Sequence, residues 1–139
     1  MNDVQRLQPP ELRDTRDAGF SQVVVANGLV IVSGQLAWDR DGNLVGAGDL
    51  AAQTHQVMKN LGTALKIARV TYDDIVKLTT YVVDYKPADR AKIRDVRAQY
   101  LRAGHLPAST LVGVSALAAE GCLIEIEAIA VLPPTPIPG

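Results

Sequence analysis

The sequence has few of the residues that mark the commoner kinds of functional site. It contains one cysteine, Cys122, so it cannot form an internal disulfide bond. Its 14 basic and 15 acidic residues nearly cancel, and no run of Lys or Arg occurs, which argues against a nucleic-acid-binding protein. With one Trp, four Tyr and one Phe, it also offers little for the stacking of bases.

Long apolar segments are missing as well, so no membrane association is expected. The first 17 residues, MNDVQRLQPPELRDTRD, are polar and do not look like a signal peptide, which favours a cytoplasmic location. Hydrophobic residues nevertheless make up 47% of the 139 residues. A chain of this length and composition predicts a single domain over residues 1–139 with a substantial core.

The first regular structure that the sequence predicts is a β-hairpin. Two β-rich runs, Val23–Ala26 and Leu29–Gln35, flank Asn27-Gly28, the dipeptide most typical of a two-residue hairpin turn. A second turn, with Asp41-Gly42 at its tip, leaves room for one further short strand. A short polar segment with a Pro-Pro break precedes the hairpin.

Apolar residues then recur every three or four positions in two segments, which predicts two amphipathic helices. The first has Asp49 as its predicted N-cap, and the second starts at Pro87 and is predicted to end near Gly104. The first helix places these residues on one apolar face: Leu50, Thr54, Val57, Met58, Leu61, Leu65 and Ala68.

Three further strands are predicted, in DIVKLTTYVVDY and near residues 109–114 and 123–132, before a Pro-rich tail. The order indicates an α+β fold of about six strands, with both helices packed on one face of the sheet. The other sheet face leans towards apolar residues, which is typical of an oligomer.

The last strand carries two carboxylates, Glu125 and Glu127, within the run CLIEIEAIAV. Side chains alternate between the faces of a strand, so both point to the same side, next to Leu123 and Ile129. Either both carboxylates lie on a solvent-exposed face of the sheet, or one of them lines a cleft where burial shifts its pKa. In the second case Glu125 should be partly buried and hydrogen-bonded, and Glu127 more exposed.

Five segments of the chain match a known pattern: SGQLAWDRDGNLVG, DLAAQTHQVMKNLGTAL, DIVKLTTYVVD, LPAST and IEIEAIAV. Together they resemble the RidA/YjgF family, also called the L-PSP or Rid family. The resemblance covers about residues 20–131 and implies a chorismate-mutase-like fold, with a six-stranded mixed sheet and two helices on one face. It also implies a homotrimer whose sheets form a central barrel, with small-molecule clefts between the subunits.

The activity that this resemblance implies is hydrolysis of enamines and imines, such as 2-aminoacrylate, to 2-keto acids and ammonia. RidA itself needs no cofactor or metal. The sequence contains no cluster of His, Cys and carboxylates at metal-ligand spacing, and no GxSxG, P-loop or GxGxxG motif.

The resemblance also implies the site residues. Glu125 takes the place of the glutamate that holds a water near the substrate. The backbone of Ser33 and Gly34 takes the place of the segment beside the ligand, although Gly34 equally fits a β-bulge. Phe20 stands where many members have a tyrosine, so the ring is retained and the hydroxyl is lost.

One departure concerns the substrate carboxylate. Active members have an arginine directly after the Pro-Ala pair, where this chain has Ser109, and serine supplies no permanent charge. On the second helix, Arg94 and Arg97 stand where the family often has an asparagine and an aromatic residue. Arg97 has two interpretations. It either snorkels at the helix edge, with its charge in solvent, or, like Arg94, it supplies the cleft's positive charge from the helix instead of from the strand.

Two classes of function remain open. The first is an imine or enamine deaminase that is weak or altered in substrate because Ser109 replaces the arginine. The second is a non-catalytic trimer that binds or senses a small metabolite. A ribonuclease, which the older family name suggests, is disfavoured by the near-neutral charge and the few aromatic residues.

Overall fold

The computed structural model of the protein describes residues 3–134, so most of the Pro-rich tail lies outside the described residues. It shows the predicted α+β fold, with six strands in one mixed sheet and two helices. The strands and helices are β1 (Gln5–Leu7), β2 (Val23–Ala26), β3 (Leu29–Gln35), α1 (Leu50–Ile67), β4 (Ile75–Val83), α2 (Pro87–Arg97), β5 (Ala108–Val114) and β6 (Ile124–Val131).

The strands lie in the order β1-β2-β3-β6-β4-β5, so the last strand of the chain pairs in the middle of the sheet. All pairs are antiparallel except β4 with β5, which α2 connects as a crossover. The predicted hairpin is confirmed: β2 and β3 flank Asn27 and Gly28, which have φ angles of 51° and 77°. Left-handed conformations at both positions are those of a type I′ turn.

The core lies between the helices and one face of the sheet. Alternate residues of the central strands, among them Val32, Ile124 and Ile126, are almost completely buried there. They pack with the buried side of α1, which includes Met58 and Leu61. The predicted N-cap is also confirmed, because the Asp49 side chain accepts a hydrogen bond from the backbone N–H of Ala52 at 3.0 Å.

The opposite face of the sheet, here called the open face, carries exposed apolar side chains. Leu29 and Ile31 on β3 are 39% and 43% exposed, and Val131 on β6 is 41% exposed. The register places Leu29 beside Val131 and Ile31 beside Ile129, so these residues form a continuous apolar patch. Glu125 and Glu127 point to this same face, which is therefore apolar at one end and acidic further along.

Three details differ from the sequence-based expectation. The sixth strand is the short edge strand β1, whereas residues 38–44 form a loop with a single bridge between Trp38 and Leu44. Helix α2 ends at Arg97 rather than near Gly104. Beyond it, the N–H groups of Gln99 and Tyr100 bond to carbonyls three residues back, so the chain tightens into turns that lead towards β5.

Candidate functional site

A β-bulge brings β3 against the Glu125 side chain. The register between β3 and β6 shifts between Val32 and Gln35, so Gly34 lies in an irregular part of the strand. A Cβ at Gly34 would lie 2.6 Å from Cδ and 2.9 Å from Cγ of Glu125. The bulge interpretation of Gly34 is therefore confirmed, and the close neighbour that excludes a side chain here is the glutamate itself.

The environment of Glu125 disfavours its charged form. The side chain is half-buried, and this burial raises the pKa of its carboxyl group, with a further contribution from the charge of Glu127. The Tyr81 hydroxyl donates a hydrogen bond to Glu127, and this bond raises the pKa of Tyr81. A proton-accepting carboxylate with a raised pKa is the kind of group that general acid–base catalysis uses.

The contrast expected between the two carboxylates was partly wrong. Both are half-buried, and it is Glu127 rather than Glu125 that accepts a side-chain hydrogen bond within residues 3–134. The register explains this, because β4 places Tyr81 beside Glu125 and Thr79 beside Glu127 on the same face, and the Tyr81 ring reaches diagonally to Glu127.

Ser33, next to the bulge, is held by hydrogen bonds within the chain. Its hydroxyl donates to the carbonyl of Ser21 at 2.6 Å, and its N–H donates to the carbonyl of Gln22 at 2.9 Å. The buried Gln35 side chain donates to the Ser33 carbonyl at 2.9 Å and to Gln22 Oε1 at 2.8 Å. The wall next to Glu125 is therefore rigid, which is what precise placement of a reactant requires.

The residues around Glu125 enclose a cavity of about 660 Å³, here called the Glu125 cavity. It brings together four of the predicted site residues, and Phe20, 47% exposed, is one of them. Sequence reasoning missed other side chains that line it, notably Arg13, Trp38 and Asn60. The predicted residues that line it are Phe20, Ser33, Gly34 and Glu125.

The other three predicted residues line a second cavity of about 850 Å³ between α2 and β5, here called the Arg97 cavity. Arg97 Nη1 donates a hydrogen bond to Ser109 Oγ at 3.2 Å, and burial lowers the pKa of the Arg97 guanidinium. Arg94 lies on the same helix but pairs with Asp95 at 3.0 Å on the exposed side. Of the two helix arginines, Arg97 therefore carries its charge to the position of the missing arginine.

The raised pKa of Glu125 leads to a prediction about stability. Because the folded protein holds this proton more tightly than the unfolded chain does, the charged carboxylate lowers stability as the pH rises through the folded-state pKa. We expect Glu125→Gln to raise the melting temperature near neutral pH. The difference between variant and natural protein should disappear below the usual pKa of 4.5, where the carboxyl is protonated in both states. An equal difference at all pH values in calorimetry would contradict this assignment.

Among residues 3–134, no helix is both long and apolar enough to cross a membrane. Over the same residues, no three His, Cys, Asp or Glu side chains are grouped so as to hold a metal ion.

Comparison with known proteins agrees with the fold and the motifs. Residues 14–132 match the family described as Endoribonuclease L-PSP. A 2-iminobutanoate/2-iminopropanoate deaminase of Rattus norvegicus is 36% identical over 115 residues, which are 83% of this chain and 81% of that protein. A RutC family protein of Synechocystis is 33% identical over 115 residues, 82% of this chain and 86% of the relative.

Solved structures agree as well. A protein of unknown function of the conserved Rid family from Yersinia pestis superposes with a TM-score of 0.85 at 33% identity, covering 94% of this chain and all of the other. RidA from an Antarctic Psychrobacter superposes with a TM-score of 0.81 at 28% identity, covering 92% of this chain and 99% of the other. The chain therefore belongs to the L-PSP family, the RidA/YjgF family that its motifs resemble.

Proposed function

We propose that the protein hydrolyses small 2-imino acids, or their enamine tautomers, to 2-keto acids and ammonia. The observation that carries this proposal is the half-buried carboxylate of Glu125, fixed against the bulge at Gly34 in an open cavity. Relatives of comparable length that are 31–36% identical are named as 2-iminobutanoate/2-iminopropanoate deaminases, which supports the same chemistry.

Glu125 acts on the attacking water. Its carboxylate accepts a proton from the water as the water oxygen bonds to the imine carbon, and it passes this proton to the imine nitrogen to give a carbinolamine. Glu125 then takes the proton of the carbinolamine hydroxyl and gives it to the departing amine, so the C–N bond breaks as the carbonyl of the keto acid forms. Water and imine are consumed, and keto acid and ammonia are released, so no cofactor is needed.

Arg97 holds the substrate carboxylate in place of the arginine that Ser109 replaces. Its guanidinium is already hydrogen-bonded to Ser109, and a guanidinium can bind a carboxylate through two parallel hydrogen bonds. Burial lowers the pKa of the Arg97 guanidinium, but arginine keeps its charge at neutral pH. Arg97 therefore supplies the permanent cation that the strand position lacks.

The complete site forms between copies in a homotrimer. Within one chain, Glu125 and Arg97 line separate cavities, so a substrate that touches both needs the Glu125 cavity of one copy to face the Arg97 cavity of the next. The apolar patch on the open face also needs a cover, and a second copy provides one. A head-to-tail arrangement of identical copies forms a closed trimer when each contact rotates the next copy by a third of a turn.

Light scattering tests this assembly. The expected mass is about three times the 14.9 kDa of one chain, because closure of the ring buries the apolar patch of every copy. A monomer at micromolar concentration would contradict the shared site.

The activity is tested with 2-iminopropanoate and 2-iminobutanoate, generated in the cuvette by oxidation of the corresponding amino acids. Semicarbazide traps imines, so an active protein lowers the yield of semicarbazone and accelerates the release of ammonia. Absence of acceleration with either imine would contradict the enzyme proposal.

The second candidate is a trimer that binds a small metabolite without converting it. It is favoured by Ser109, because this strand position carries no charge for a substrate carboxylate. Calorimetric binding of a keto acid by a protein that does not accelerate any imine's hydrolysis would identify this function.

A further inference from the structure

An arginine that the proposed reaction does not use lies in the Glu125 cavity. The Arg13 guanidinium stacks on the Trp38 ring, 4.1 Å from its centroid, and both side chains line this cavity. None of the ion pairs formed among residues 3–134 involves Arg13. Its charge is therefore available to a ligand in the cavity.

The Arg13 backbone is held by the side chains of Gln8 and the buried Gln22. Its carbonyl accepts hydrogen bonds from Gln8 Nε2 at 3.1 Å and from Gln22 Nε2 at 3.0 Å. Gln22 is 6% exposed and is itself bonded to Gln35, next to the bulge. The aliphatic stem lies near Gly42, where a Cβ would be 3.5 Å from Arg13 Cδ. These contacts connect the Arg13 backbone to β3, the strand whose bulge lies against Glu125.

The backbone of Trp38, whose ring lies beneath the guanidinium, is held in the same way. The buried Asn60 side chain donates to the carbonyl of Trp38 at 2.9 Å and to that of Leu36 at 3.0 Å. Asp39, the acid that follows Trp38, accepts 2.9 Å hydrogen bonds from the N–H groups of Asp41 and Asn43. Its charge stabilises its own loop and leaves the cation on Arg13 without an ion-pair partner.

The cavity is also larger than a short imino acid requires. Its volume of about 660 Å³ lies within the range of about 300–1,000 Å³ typical of pockets for drug-sized ligands. An imino acid of three or four carbons fills a small part of it. The wall of the remaining space includes the Arg13 cation on the Trp38 ring, which attracts a carboxylate and the carbon chain beside it.

We propose that Arg13 and Trp38 form a second anion-binding subsite, which takes the distal carboxylate of an elongated imino acid. This rests on the proposed function, in which Arg97 of a neighbouring copy holds the carboxylate next to the C=N bond. The substrate then carries a negative charge at each end, with the reacting carbon near Glu125. Arg13 acts in this arrangement as a specificity-determining residue.

The test compares a monocarboxylic with a dicarboxylic substrate, 2-iminopropanoate and 2-iminoglutarate, in Arg13→Gln, Arg13→Lys and the natural protein. We expect Arg13→Gln to lower kcat/KM for the dicarboxylate by about ten- to a hundredfold, mainly through KM. The value for the monocarboxylate should stay within about twofold, because that substrate does not reach Arg13. Arg13→Lys keeps the charge and should retain part of the preference.

Arg40→Gln is the matched control, since Arg40 is an exposed arginine in the loop of residues 38–44 and does not line the cavity. This variant should leave kcat/KM for both substrates unchanged. Equal losses for both substrates in Arg13→Gln, or no preference for the dicarboxylate in the natural protein, would overturn the subsite. Calorimetric measurement of the affinities for 2-oxoglutarate and 2-oxobutanoate tests the subsite independently of the reaction. If no imine is hydrolysed, the deaminase proposal fails. The subsite is still supported if 2-oxoglutarate binds more tightly than 2-oxobutanoate and Arg13→Gln abolishes this difference. Equal affinity of the natural protein for the two keto acids overturns the subsite.

Discussion

Glu125→Gln is expected to lower kcat for imine hydrolysis by about a hundred- to ten-thousandfold, the usual contribution of a general acid–base group. Glutamine preserves the shape of the side chain but cannot accept the water's proton. Substrate binding should change little, so the loss should appear in kcat rather than in KM. A variant that keeps most of the activity of the natural protein would remove Glu125 from the mechanism.

Glu127→Gln provides the matched control on the same strand face. Glu127 is bonded to Tyr81 and acts on the reaction only through its charge, which raises the pKa of Glu125. Its removal should therefore shift the acid limb of the pH–activity profile to lower pH, because Glu125 then loses its proton more readily. A loss as large as that of Glu125→Gln would show that the roles of the two carboxylates were assigned incorrectly.

Gly34→Ala tests the position of the Glu125 carboxylate without removing it. The added methyl group would overlap the carboxylate, which has to rotate away. Because the displaced group is the end of a flexible side chain, the melting temperature should change little while activity falls. A fully active Gly34→Ala protein would contradict the role of the bulge in placing this group.

The second large effect concerns Arg97. Arg97→Ala is expected to lower kcat/KM for 2-imino acids by about ten- to a hundredfold, because a charge-assisted hydrogen bond to a carboxylate contributes about 1.5–3 kcal/mol. Ser109→Arg should add little activity or reduce it, since the new guanidinium would repel Arg97, which now bonds to Ser109. Steady-state kinetics on the two variants measures both effects.

Arg94→Ala is the control for Arg97, because Arg94 pairs with Asp95 on the exposed side of α2, and a small effect is expected. The opposite result would contradict the role of Arg97. If the natural protein hydrolyses imines slowly and Ser109→Arg raises the rate, the charge is needed directly after Pro107-Ala108, and Arg97 does not replace the arginine that is missing there.

Much of the fold could be predicted from local signals. Asn27-Gly28 indicated the hairpin, Asp49 the start of α1, and the change of period the two helices, and all three are present. The three residues of β1 gave no such signal, because a short polar edge strand has neither apolar alternation nor a turn of its own. Its pairing depends on β2, which lies sixteen or more residues further along the chain.

The site was predictable only in part, for the same reason. Alternation along β6 indicated that Glu125 faces away from the core. Its contact with Gly34, however, depends on a bulge in β3, which is adjacent in the sheet but far away in the sequence. The hydrogen bond between Arg97 and Ser109 forms only because α2 packs beside β5. Helix periodicity carries no information about this packing, so it could not decide between a solvent-exposed Arg97 and one that faces the cleft. Arg13 sits in an irregular segment, where spacing carries no information about neighbours.

The shared site is tested most directly by mixing two inactive variants. Glu125→Gln subunits supply an intact Arg97, and Arg97→Ala subunits supply an intact Glu125. After equimolar unfolding and refolding together, random assembly into a closed ring should restore about a quarter of the sites. Recovery of about a quarter of the natural activity is predicted. Activity no greater than the sum of the two variants, in a mixture shown to contain mixed trimers, would contradict a site divided between neighbouring copies.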